Sequence, residues 1–124
     1  MNKDNLSVAE AYYRAMGEKN ILEMEKYLHP EVRLVGPLAE VDGKEATLEA
    51  ASRFCGLLSK LTIRAKFGSG NQAMLAFDVA CPAPIGNCRT AVLLTFKDHL
   101  IAHIELFLDA RPFEKKQKEI FASH

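Results

Sequence analysis

Apolar positions recur every three or four residues along the first half of the chain and every second residue along the rest. Val8, Ala11, Tyr12, Ala15 and Met16 make one stripe of a helix, and Ser7 with Glu10 three residues on has the spacing of a capping box. Gly17 ends that segment. Asn20 with Glu23 repeats the start signal before Ile21, Met24 and Leu28. Pro30 stops this second helix, because the residue before a proline is pushed out of the helical region. His29 is therefore expected at its C-terminal end, where a positive group meets the negative end of the helix dipole. Asp42 with Glu45 opens a third helix through Ala46, Ala50, Phe54, Leu57 and Leu58.

From residue 61 the period is two. Leu61, Ile63, Ala65 and Phe67 alternate with Thr62, Arg64 and Lys66, which predicts a strand with its apolar set buried. Gly68-Ser69-Gly70-Asn71 then turns the chain. Residues 72–81, 88–96 and 100–108 read as three further strands, joined by segments short enough to demand antiparallel pairing. A shorter strand, Glu31 to Val35, falls between the second and third helices. The order ααβαββββ is an α+β domain with helices on one sheet face.

Composition narrows the function classes. The 124 residues carry 16 Lys+Arg against 16 Asp+Glu and are 48% apolar. Such a chain is expected to form one soluble domain over 1–124, with a core of about 7–113 and a lysine-rich tail over 114–124. A net charge of zero argues against a nucleic-acid or anionic-membrane binder. No apolar run approaches the roughly 18 residues of a membrane span, and the first residues lack signal-peptide order, so the cytoplasm is expected. Cys55, Cys81 and Cys88 are an odd set without C-x-x-C. Cys81 and Cys88 flank a hairpin tip but are expected to pack as small apolar residues rather than to bridge. His99 and His103 would share a face only on a helix, which excludes a metal reading there. The chain has neither G-x-G-x-x-G nor a phosphate loop, so no cofactor is expected.

Three phrases are distinctive: Tyr27-Leu28-His29-Pro30-Glu31-Val32, Asp42-Gly43-Lys44-Glu45, and Ile104-Glu105-Leu106-Phe107-Leu108-Asp109. With the element order, they resemble the SnoaL-like branch of the nuclear-transport-factor-2-like (cystatin-like) superfamily. The resemblance implies a cone: three N-terminal helices on a strongly bent, mainly antiparallel sheet around an apolar cavity. It also implies a homodimer through the outer sheet face. Ketosteroid isomerases share the scaffold, and their pattern puts the oxyanion-binding tyrosine at Tyr12. Their general base would fall at Gly36 and its partner acid near Val92. Proton abstraction needs a base within hydrogen-bond reach, so that activity is not expected.

The cavity is expected to be lined by Tyr12, Met16, Leu34, Phe54, Phe77, Val79, Thr90, Val92, Ile104 and Leu108, with Phe113 closing its open end. Such a lining suits a flat, mostly apolar small molecule with one or two polar atoms. Tyr12 either donates a hydrogen bond to the ligand or is a core tyrosine, and the sequence leaves both open. Tyr13 is expected at the surface. An enzyme on this chain would run cofactor-free proton transfer with Glu105 or Asp78 as base. Strand parity puts both on the outer face, and only a bulge or slip would turn them inward. The alternative function is a protein-interaction or dimerisation module using that outer face.

Overall fold

The computed structural model describes residues 4–116. Its elements are α1 (Asn5–Gly17), α2 (Ile21–Glu25), β1 (Leu28–Val35), β2 (Glu40–Asp42), α3 (Lys44–Cys55), β3 (Lys60–Ser69), β4 (Gln72–Ala80), β5 (Asn87–Lys97) and β6 (Leu100–Leu108). A 3₁₀ turn, Arg111–Lys116, follows. The remainder of the expected tail, from residue 117 onward, lies outside the described residues. The strands form one open sheet in the order β2-β1-β6-β5-β4-β3. All neighbours are antiparallel except β1 and β6, which run parallel. A parallel pair needs a long crossover, and here everything from β2 to β5 supplies it.

Local signals predict most of these elements, and tertiary pairing changes their ends. Helix α1 is capped by Asp4, whose Oδ1 accepts the Ser7 N–H at 2.7 Å, so the cap lies three residues before the expected Ser7. Asn20 caps α2 as expected, accepting from the Glu23 N–H at 3.1 Å. That helix ends at Glu25, because Leu28 is already paired with Ile101 of β6. His29 therefore belongs to β1, and its Nδ1 accepts the Glu31 N–H at 3.0 Å. Strand β2, absent from the periodicity, is three residues long and contains Asp42. The start of α3 falls instead to Gly43, with φ +94° and no side-chain cap.

The core lies between the helices and the inner sheet face, where Leu75, Phe77 and Val79 of β4 and Val92 and Leu94 of β5 are buried. Tyr12, Tyr13 and Met24 come down from the helices to meet them. Strand β3 departs from its expected alternation. Its register against β4 shifts between Ile63 and Ala65, and the extra residue, Arg64, reverses every later side chain. Phe67 is therefore 71% exposed, on the outer face. All three cysteines are buried free thiols, without a bridge between Cys81 and Cys88. Among the described residues, no helix is long and apolar enough to cross a membrane.

Candidate functional site

A cavity of about 100 Å³ lies between α1, α3, the inner faces of β4 to β6, and the β1–β2 turn. It is smaller than the usual 300–1,000 Å³ of a ligand pocket, so the flat, mostly apolar molecule that the sequence suggests is held to about a single ring. Tyr12, Tyr13 and Met16 descend from α1, while Thr47, Ala50, Ala51 and Phe54 line up on α3 at the 0, 3, 4, 7 spacing of one helix face. From the sheet come Leu34, Phe77, Val79, Thr90, Ile104, Leu106 and Leu108. Phe113 reaches in from the final 3₁₀ turn and packs on Phe54, with ring centroids 6.3 Å apart. The sequence suggests that this ring closes the cavity's open end, and the structure places it in the lining.

Of the expected lining, Tyr12, Met16, Leu34, Phe54, Phe77, Val79, Thr90, Ile104 and Leu108 all reach the cavity. Val92 does not: it is wholly buried in the core and stays off the wall. The expected lining misses Tyr13, Thr47, Ala50, Ala51, Leu106 and the turn Gly36-Pro37-Leu38-Ala39. Tyr13 is only 2% exposed. Its ring packs edge-on against Tyr12 and tilted against Phe77, both at 4.9 Å. The aromatic partner on β4, 64 residues away, turns it inward, and no local signal announces that. Thr47 had a usable signal, since it shares a helix face with Ala50 and Phe54.

Among the described residues, the lining carries no Asp, Glu, His, Lys or Arg. Gly36 stands where an isomerase would keep its base, and a Cβ there would meet the Leu106 side chain at 3.3 Å. Asp78 and Glu105 do not supply one. Asp78 sits on the outer face between Thr62 and Arg89, with its Oδ2 accepting from Arg64 at 3.0 Å. Glu105 lies opposite Leu93 on the same outer face, with His103 Nδ1 4.0 Å from its Oε1. The register shift between β5 and β6 falls between Thr95 and Phe96. Glu105 lies beyond it, where Leu94 still faces Ile104 and Val92 faces Leu106, so inner residues continue to meet inner ones. The sheet therefore separates both carboxylates from Tyr12, and neither can act as a base in this cavity.

The polar side chains of the wall, those of Tyr12, Tyr13, Thr47 and Thr90, are hydroxyls. Burial pushes the phenols of Tyr12 and Tyr13 well above their ordinary titration range, so both remain protonated donors at neutral pH. Neither makes a hydrogen bond among the described residues. Thr90 faces the Cys88 thiol, which burial pushes up. The Cys55 thiol, also pushed up by burial, donates to the Met16 carbonyl at 3.6 Å just behind the α1 wall. Among the described residues no group of three His, Cys, Asp or Glu side chains is placed to hold a metal.

Helices on one face of a mixed sheet, enclosing an uncharged cavity, define an α+β cone of the nuclear-transport-factor-2-like, cystatin-like class. A SnoaL-like domain model matches residues 9–104, and the chain belongs to that family. The fold is similar to that of a Kribbella flavida protein, with a TM-score of 0.83 and 24% identity over 91% of this chain and 93% of that one. A nuclear-transport-factor-2-like protein of unknown function from Cytophaga hutchinsonii gives a TM-score of 0.79 and 17% identity over 91% and 96% of the two chains. TerC, crystallised with polyporic acid, gives 0.76 and 16% over 92% and 98%. No curated protein matches the chain.

Proposed function

We propose that this SnoaL-like chain binds a small, neutral, mostly apolar molecule of about one ring in its cavity, and that the Tyr12 hydroxyl donates to an acceptor oxygen of that ligand. The observation that carries the reading is a buried tyrosine on a cavity wall that, among the described residues, includes no charged side chain, and whose hydroxyl makes no hydrogen bond to any of them. A charged ligand would lose its hydration there without compensation, which costs several kcal/mol. An aryl ketone suffers no such loss: its ring meets Tyr13, Phe54 and Phe77, and its carbonyl meets a phenol. The crystallisation of TerC with polyporic acid supports small-molecule binding by this scaffold. Carboxylate-driven proton transfer is not part of the reading, since the wall holds no base. Three free cysteines agree with residence in the cytoplasm.

Titration calorimetry with 4-methylacetophenone tests this. Tyr12→Phe should weaken binding by about 1–2 kcal/mol and leave the melting temperature unchanged, because the hydroxyl has no hydrogen bond among the described residues to lose. Unchanged affinity with reduced stability would make Tyr12 a structural residue and overturn the reading.

The outer sheet face favours a second, compatible role. Met74 and Phe107 are 41% and 49% exposed there, beside Phe67 on the edge strand β3. An apolar band of this kind suits a homodimer interface. Sedimentation analysis should find a dimer that Phe107→Lys converts to folded monomer; a wild-type monomer at all concentrations would discard this role.

A further inference from the structure

The α3 wall holds a polar atom that folding leaves unused. Thr47 is 1% exposed, and its Oγ1 has no hydrogen-bond partner among the described residues. Within a helix, a threonine hydroxyl usually bonds the carbonyl one turn back. Here the carbonyl one turn back, that of Gly43, accepts the Thr47 N–H at 3.0 Å and takes no bond from the hydroxyl. A buried hydroxyl without a partner destabilises the fold, whereas valine has nearly the same shape and no such cost. Thr47 also lines the cavity, on the helix face it shares with Ala50, Ala51 and Phe54; Oγ1 lies just behind the wall surface, and the turn between the two χ1 rotamers that a helical threonine populates exchanges it with the methyl.

We propose that Thr47 is a second polar anchor of the ligand site. The molecule bound is then a neutral single-ring compound with two polar ends: an acceptor oxygen held by Tyr12, and a hydroxyl that exchanges a hydrogen bond with Thr47 Oγ1. This rests on the binding reading above and sharpens it from an apolar ligand to a hydroxylated aryl ketone or a close analogue. A hydroxyl suits the site because threonine both donates and accepts. A second charged group does not, because no opposite charge lines the wall.

Two probes of one shape separate the anchor from the cavity. In calorimetric titrations, 4-hydroxyacetophenone should bind the wild-type chain about tenfold more tightly than 4-methylacetophenone, about one hydrogen bond's worth. Thr47→Val should abolish that preference, read as the ratio of the two affinities on the same variant, while Thr47→Ser, which keeps the hydroxyl, should retain it. Equal affinities on the wild type, or a preference that survives Thr47→Val, would overturn the anchor while leaving the binding reading intact. Failure of both probes to bind the wild type would overturn the binding reading, and the anchor with it.

Discussion

Lys66 Nζ lies 2.7 Å from Glu10 Oε1, so a lysine of β3 reaches across to α1 from the sheet face that strict alternation reserves for an apolar side chain. The inserted Arg64 produces this. Before it, Ile63 opposes Phe77 on the inner face; after it, Lys66 opposes Leu75, and Phe67 opposes Met74 on the outer face. The near end of the inner face thus closes on α1 with an ion pair, and the apolar side chain of Phe67 joins the outer band.

Lys66, and then Arg14, hold the Glu10 carboxyl below its ordinary value of 4.5. Its contribution to stability is complete above the ordinary carboxylate range and is lost as the pH falls through the depressed folded value. Lys66→Met should move the Glu10 transition upward in an NMR titration, with Arg14→Met producing a smaller upward movement. A Glu10 transition that ignores Lys66 would place the ammonium elsewhere in solution.

The tyrosines give the opposite pH dependence. Burial raises the Tyr12 and Tyr13 phenols above their ordinary 10.0, and the bond from the Tyr27 hydroxyl to Glu23 raises the third. Groups with raised folded values contribute stability that is complete below the unfolded value and lost above it. Stability should therefore decline as the pH rises past about 10. In an ultraviolet titration, the phenolate signals of Tyr12 and Tyr13 should emerge together with loss of the folded circular dichroism. Early, reversible ionisation of all three tyrosines in the folded chain would show that the α1 wall is open to water.

How far the site can be read from the chain follows from the range of the forces that build it. Strand parity is local and alternates without exception on β4, so Phe77 and Val79 face inward and Asp78 outward, as the sequence implies. The bulge at Arg64 lies in an unremarkable run of alternating residues, and only the pairing with β4 reveals it. Tyr13 is decided by Phe77, far away in sequence, and β2 by its partners on β1. The resemblance to the family supplies the cone and the place of Tyr12. The chemistry of the wall depends on which hydroxyls folding leaves unpaired, and that is a property of the packed state alone.

Phe113 brings the segment after β6 into the cavity lining. Its ring packs on Phe54, and the residue, 2% exposed, lines the same cavity as Tyr12, although it follows the last strand on a single 3₁₀ turn. That turn is held by Asp109, whose carboxylate accepts from the Arg111 side chain and backbone. Phe113→Ala should cost about 3 kcal/mol, the lower end for removing a buried phenylalanine, measured by urea denaturation. It should also enlarge the cavity toward solvent, so that 4-methylacetophenone dissociates faster in NMR exchange measurements while the Tyr12 contact persists. Arg111→Ala, which loosens the turn and keeps the ring, should speed dissociation by less. Unchanged dissociation in Phe113→Ala, with the stability loss present, would make the phenylalanine a core residue only and put the route into the cavity at the β1–β2 turn.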